Sequence, residues 1–274
     1  MAARRRGPLC NRSRAAVFLC YHSVADHGPP FTSVGREAFE AQLRTLSRLG
    51  FRTGGQDDLD RMARGQRIDG RLVFLTFDDG YLDNYATARP LLEAHGFCGL
   101  IFLLPPRVDR GGVLDWPGVE RRAAAHPEVM RSLTWPMVES MAEAGHEFGS
   151  HTLSHPLLTE LGDEELRQEL LDSRARIKER LGRCDSIAYP FGFWDRRVAE
   201  AAADAGYSYG FTLPDGSQMS ADRLTIPRVS VDHRDDGPRF RRKLSAAYRA
   251  LSLSPCRPLA RRVLRRARAH EAPA

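Results

Sequence analysis

Two carboxylates stand side by side in Thr76-Phe77-Asp78-Asp79-Gly80, at the end of the apolar run Leu72-Val73-Phe74-Leu75. A short apolar run closed by glycine reads as a buried strand, so both acids lie where a strand surfaces, a usual place for chemistry in α/β folds. Unpaired like charges are costly there, and a metal cation is an obvious counter-charge. An Asp-Asp-Gly turn capping the next helix is the competing reading, because Asp favours both turns and N-caps. Further on, Ser150-His151-Thr152-Leu153-Ser154-His155-Pro156 places two histidines four apart. On one helical turn or a tight loop, that spacing lets both imidazoles meet one ion. The preceding Glu143 to Gly149 reads as a helix end, a turn and a short strand, so this pair also follows a strand. Asp79, His151 and His155 then form a two-histidine, one-carboxylate set with open positions. Such a set suits catalytic zinc or another divalent ion such as iron or cobalt. Asp78 is left free as a base.

These motifs resemble those of the polysaccharide deacetylases, the group built on the chitooligosaccharide-deacetylase (NodB-type) homology domain, carbohydrate esterase family 4. Thr76-Phe77-Asp78-Asp79-Gly80 matches the first motif, and His151-Thr152-Leu153-Ser154-His155 matches the second, H-[ST]-x-x-H. Ala188-Tyr189-Pro190-Phe191-Gly192 looks like the third, usually R-x-P-[YF]-G. The resemblance spans roughly residues 15 to 235. It implies that Asp78 is the general base acting on metal-bound water and that Asp79, His151 and His155 hold the metal. The ion is expected to be zinc, with iron, cobalt or nickel as alternatives. The backbone N–H of Phe191 is implied as an oxyanion donor, with Pro190 fixing its direction through a locked φ. Tyr189, Pro190 and Trp116 are the expected substrate contacts, with a packed tryptophan in a turn as the alternative for Trp116.

Ala188 stands where many members carry an arginine that orients the catalytic aspartate, which weakens the expectation of a buried Arg–Asp pair. The similarity is nearest to members with rearranged motifs, the poly-N-acetylglucosamine deacetylase-like group. In these, a histidine after a strand-end tyrosine acts as general acid. Tyr21-His22 has this form, so His22 is the expected acid. Val229-Ser230-Val231-Asp232-His233 resembles the usual last motif and makes His233 the alternative acid.

The remaining sequence supplies elements to position these groups. Helical spacing is expected over 36–49, 84–95, 135–144 and 163–181, the last capped by Asp163 and stopped by Gly182. Strands are expected at 15–20, 72–77, 99–104, 146–150, 186–190, 208–213 and 226–231. Alternating strands and helices argue for a parallel α/β fold. The resemblance refines this to a distorted (β/α)7 barrel of the polysaccharide deacetylase type. Pro105 to Arg122 reads as an irregular insertion, and Arg239 through Leu251 as one amphipathic helix. The expected organisation is a basic tail over 1–14, a catalytic domain over 15–250 and a basic tail over 251–274.

Charge follows this division. Residues 1–14 hold five Arg and no acid, residues 239–274 hold eleven Lys/Arg against one acid, and the body between carries 25 basic against 34 acidic residues. The tail reads as a solvated segment or as a weak contact with anionic lipid that would bring the enzyme near lipid-linked sugars. A nucleic-acid partner is not expected. Five scattered cysteines without CxxC spacing read as reduced thiols, with Cys20 and Cys98 in the core. No apolar run approaches a membrane span, and Ala15 to Cys20 is too short for a signal-peptide core. A cytoplasmic location is therefore expected, peripheral at the inner membrane face if the tail binds lipid. Three activities fit: hydrolysis of N-acetyl groups on an aminosugar glycan or lipid-linked precursor, hydrolysis of another C–N bond such as a cyclic amide or imide, or non-enzymatic glycan binding.

Overall fold

The computed structural model describes residues 16–213 and 222–252. Its strands are β1 (Ala16–Tyr21), β2 (Ser23–Val24), β3 (Ser33–Val34), β4 (Phe51–Thr53), β5 (Arg71–Phe77), β6 (Gly99–Leu103), β7 (Glu147–Ser150), β8 (Ser186–Ala188), β9 (Tyr209–Thr212), β10 (Ile226–Pro227) and β11 (Val229–Ser230). Its α-helices are α1 (Arg36–Arg48), α2 (Gln56–Ala63), α3 (Arg89–Ala94), α4 (Pro105–Arg110), α5 (Glu120–Ala125), α6 (Trp135–Glu143), α7 (Asp163–Leu181), α8 (Arg196–Asp204), α9 (Gly237–Leu244) and α10 (Ala246–Ser252).

The main sheet runs β10-β9-β8-β7-β6-β5-β1-β11, and β4 pairs with the lower half of β5. Every pairing in it is parallel. The short run 226–230 serves both edges of this sheet: Ile226 pairs with Phe211 of β9, and Val229 pairs with Leu19 of β1. Taken as one interrupted stave, β10–β11 joins β1 and β5 to β9 in a seven-staved, distorted (β/α)7 barrel.

A parallel sheet covered on both faces needs apolar residues at successive positions, which is why the strands read as unbroken apolar runs. Alternate residues then separate into two cores. Phe18, Phe74, Leu100, Phe102, Ala188, Phe211 and Ile226 fill the barrel, with Phe18 and Phe74 stacked at 4.5 Å between ring centroids. Leu19, Tyr21, Val73, Leu75, Phe77 and Ile101 face outward beneath the helices. The inward series continues up β1 to Cys20, up β5 to Thr76 and from Ile226 to Arg228, so polar groups replace apolar ones towards the mouth.

Four local expectations need correction. Asp163 is the first residue within α7, and the N-cap is Gly162, whose N–H donates to Glu165 at 3.3 Å. The 84–95 segment opens as a π-helical turn over Asn84–Ala88 before α3, because Pro90 has no N–H to continue a regular ladder. The insertion is not irregular throughout: it contains α4 and α5, and Leu114, Trp116, Val119 and Met130 form a small core with Tyr81 and Leu104. The expected helix at 239–251 is two helices, parted where Ser245 is extended at ψ 142°. Expectations for 1–14 and for 253–274 lie outside the described residues. No helix among the described residues is long and apolar enough to cross a membrane.

Candidate metal centre

The tip of β5 presents Asp78 and Asp79 at the barrel mouth, both buried. Asp79 is in the left-handed region at φ 69°. Among the described residues only three other non-glycine positions have positive φ: Thr152 (73°), His155 (64°) and Phe191 (59°). All four border one small volume. Left-handed backbone costs an L-residue ~1 kcal/mol or more, and such strain persists only where surrounding structure enforces it.

On one side, the loop after β7 turns two imidazoles onto Asp79. His151 Nε2 lies 3.3 Å and His155 Nε2 3.4 Å from Asp79 Oδ1, which has no hydrogen-bond partner. His151 Nδ1 is 2.8 Å from the Ala188 carbonyl. A carbonyl oxygen can only accept, so the proton sits on Nδ1 and the Nε2 lone pair points at Asp79. His155 Nδ1 has no partner. That ring is instead held between Trp116, stacked at 4.6 Å, and Phe191, edge-on at 4.6 Å. Burial pushes the His155 imidazole down to about 3. Burial also opposes the charge on His151, but Asp78 and Asp79 outweigh it and raise that group. One atom from each of Asp79, His151 and His155 lies within 4.8 Å of the others. An unpartnered buried carboxylate oxygen facing two imidazole nitrogens is a donor set that fits a divalent cation.

The other side is closed by an arginine. Arg228 Nη1 donates to Asp78 Oδ1 at 2.6 Å and Nη2 donates to Oδ2 at 2.8 Å. Nη1 also lies 2.9 Å from Thr76 Oγ1, and the Cys20 thiol donates to Asp78 Oδ2 at 3.4 Å. The guanidinium is fully buried over Phe102 and Phe211, 5.4 and 5.9 Å from their ring centroids. Burial alone would raise the Asp78 carboxyl, but Arg228 outweighs it and holds the group well below the usual carboxylate range.

This overturns the inference drawn from Ala188. A buried Arg–Asp pair is present, and its arginine comes from residue 228, between β10 and β11. Ala188 faces the same interior, in contact range of the Phe102–Phe211 cluster, and contributes its carbonyl to His151. The missed signal was alternation: Ile226 is inward, so Arg228 is inward too, an arginine amid an apolar strand.

His22 is half-buried at the end of β1, with Cys20, His22 and Asp78 offering atoms within 4.8 Å of one another. Burial lowers its pKa, and Asp79 and Asp78 partly offset this. Asn84 fixes its backbone, donating to the His22 carbonyl at 2.7 Å. His233 is exposed on an outer loop, with its ring against the Pro30 carbonyl and edge-on to Phe31. The structure therefore brings His22 to the carboxylates and leaves His233 outside. Two of the expected substrate contacts lie in the wall of the site. Tyr189 is fully buried with its hydroxyl donated to the Leu224 carbonyl at 2.9 Å, and Trp116 is only 5% exposed with its face on His155. Both are wall, not open surface. Pro190 is buried and opens a 3-10 turn, leaving Phe191 43% exposed as the accessible aromatic.

A family model described as polysaccharide deacetylase matches residues 65–210, more than half of the chain. YxkH of Bacillus subtilis (strain 168), to which a polysaccharide deacetylase activity is ascribed, is 26% identical over 225 residues, covering 81% of this chain and 73% of its own. The chitooligosaccharide deacetylase of Rhizobium leguminosarum bv. trifolii is 28% identical over 50% of this chain, which spans about half (54%) of that protein. Among solved structures, IcaB from Ammonifex degensii superposes with a TM-score of 0.69 at 26% identity, over 88% of this chain and 99% of that one. The Streptococcus pyogenes deacetylase PplD shares the fold, with a TM-score of 0.69 at 20% identity over 84% and 98% of the two chains.

Proposed function

This chain belongs to the polysaccharide deacetylase family, and on that premise we propose that it is a metal-dependent hydrolase that removes N-acetyl groups from an aminosugar-containing glycan or glycan precursor. The observation that carries this reading is the contrast within one dipeptide. Asp78 is held ionised by Arg228, while its neighbour Asp79 turns an unpartnered oxygen towards His151 and His155.

Asp79, His151 and His155 would hold one divalent ion, and zinc is the ion we favour for this donor set. When bound, it supplies Lewis acidity that polarises the acetamide carbonyl and lowers the pKa of water. Asp78, locked in its accepting form, takes a proton from the attacking water as the water oxygen adds to the carbonyl carbon. The Phe191 N–H lies at the start of a 3-10 turn, where backbone donors lack intrahelical partners, and is the donor to the developing oxyanion. His22 delivers the proton to the amine nitrogen as the C–N bond breaks, leaving acetate and a free aminosugar. Burial makes the His22 imidazolium a stronger acid, which favours that transfer.

We assign the enzyme to the cytoplasm, acting on a biosynthetic intermediate, with lipid-linked sugars as the substrate class reached if the basic tail contacts anionic membrane. Exposed Arg241 and Arg242 on α9 and the run of basic residues after it support such a contact. Flotation with anionic liposomes should recover wild type above a chain ended at Leu251; equal recovery removes the membrane contact. The activity is tested with metal-loaded protein and a panel of N-acetylated sugars, oligomers and lipid carriers, with cyclic imides as a second panel. Acetate release from the sugars is expected. Turnover confined to the imides, or none with metal bound, would refute it.

A further inference from the structure

The loop that carries both histidines is strained, with positive φ at Thr152 and His155, yet it contains neither glycine nor a hydrogen bond to the His155 ring. Something outside the loop must hold it. We propose that Glu169 of α7 is a positioning residue for the metal centre, its carboxylate acting as a template on which the 151–155 loop is folded; this rests on the metal-centre reading above. Glu169 Oε2 accepts from the Leu153 N–H at 2.8 Å and the Ser154 N–H at 3.1 Å, and Oε1 accepts from the Ser154 hydroxyl at 2.6 Å. A single side chain thus satisfies three donors in the segment between the two ligands, with charge-assisted bonds that are the stronger kind.

The template is rigid because its helix is. Leu166, Leu170 and Ile177 anchor α7 in the core, bracketing Glu169. One turn further on, Ser173 accepts from Ser150 Oγ at 2.8 Å, and Ser150 Oγ in turn accepts from the Thr152 N–H at 3.0 Å. Within the loop, Thr152 Oγ1 accepts from the His155 N–H at 3.2 Å. α7 therefore grips the loop before the first turn and at its apex. The two ligands differ in how they are aimed. His151 has the Ala188 carbonyl on its Nδ1, while His155 depends on its backbone and on the Trp116 and Phe191 rings. Groups that orient a metal's ligands commonly carry 10–100-fold in metal affinity. Here that part falls to a residue fourteen positions beyond the last ligand, on a separate element.

The experiment measures zinc affinity by competition with a chromophoric chelator, together with the melting of metal-free protein, for wild type, Glu169→Ala, Glu169→Gln and Glu164→Gln. Wild type should bind one zinc. Glu169→Ala should bind at least ~10-fold more weakly at temperatures where the metal-free variant is folded. Glu169→Gln can still accept both N–H groups through its carbonyl and donate to the Ser154 hydroxyl, so it should recover most of the affinity. Glu164, paired with Arg167 on the solvent face of α7, is the control and should leave affinity unchanged. Glu169→Ala binding zinc within twofold of wild type, even with lowered melting, would overturn the proposal. Wild type binding no zinc at all would overturn the metal-centre reading and this proposal with it.

Discussion

The barrel mouth has two halves that meet at the tip of β5. On the Arg228 half, both oxygens of Asp78 are engaged by a guanidinium, and a thiol supports one of them. On the histidine half, Asp79 Oδ1 and His155 Nδ1 are buried without partners, and three of the four left-handed non-glycine residues among those described, Asp79, Thr152 and His155, lie there. In the first half the carboxylate finds its counter-charge within the protein, and the atom left without a partner is a donor, Arg228 Nε. The second has the chemistry of a site completed by a cation, so identical neighbouring side chains acquire different work from what faces them.

The largest effects should come from exchanging what each half does. Asp79→Asn or His151→Ala removes a ligand and should abolish both metal binding and acetate release. Asp78→Asn should cut turnover by ~10²–10⁴-fold while leaving metal affinity within a few-fold, because in the proposed mechanism it removes the base and not a ligand. Parallel loss of metal in Asp78→Asn would erase the distinction between the halves. Next, Arg228→Ala strands a buried carboxylate and should cost about 3–5 kcal/mol of stability by denaturant melts. Arg228→Ala with the Asp78→Asn change added should recover part of that loss, since no buried charge is then left alone. Absence of recovery would mean that the arginine acts mainly through packing on Phe102 and Phe211. His22→Ala should remove most turnover and His233→Ala little; the reverse would transfer the acid to the outer loop.

The smallest effect lies at Asp83, beside the Asn84 that holds the His22 carbonyl. Asp83 accepts from Ser23 Oγ at 2.6 Å and the Val24 N–H at 2.9 Å, and burial raises its carboxyl to about 6. The unfolded value is about 3.9, so the folded state binds more protons between about 4 and 6 and stability falls as pH rises through that window. A shift of this size is worth roughly 2–3 kcal/mol at most. The melting temperature of Asp83→Asn relative to wild type should therefore rise by a few degrees between pH 4 and 7. A difference that stays flat with pH would show that Asp83 does not titrate there.

Much of this was legible in the sequence. The convergence of Asp79, His151 and His155 was readable because a shared ligand would demand particular side chains at short spacing after strand ends. The strand–helix alternation was readable because each strand is buried on both faces. Arg228 was not readable by motif, because its partner is 150 positions away and only barrel closure through the interrupted β10–β11 stave brings them together. Alternation from Ile226 could have flagged it. The burial of Tyr189 and Trp116 was not readable for a related reason: an aromatic beside a motif can as easily build the wall that holds a ligand as face the substrate. Glu169 lay unremarked within α7, where a lone glutamate reads as a solvated face.

The account is tested most directly by stripping the protein with chelator and titrating zinc back while acetate release from N-acetylglucosamine oligomers is followed. It predicts no release from the stripped protein and activity that rises to saturate at one ion per chain. Release that persists without metal, or that stays absent with one ion bound, would contradict it.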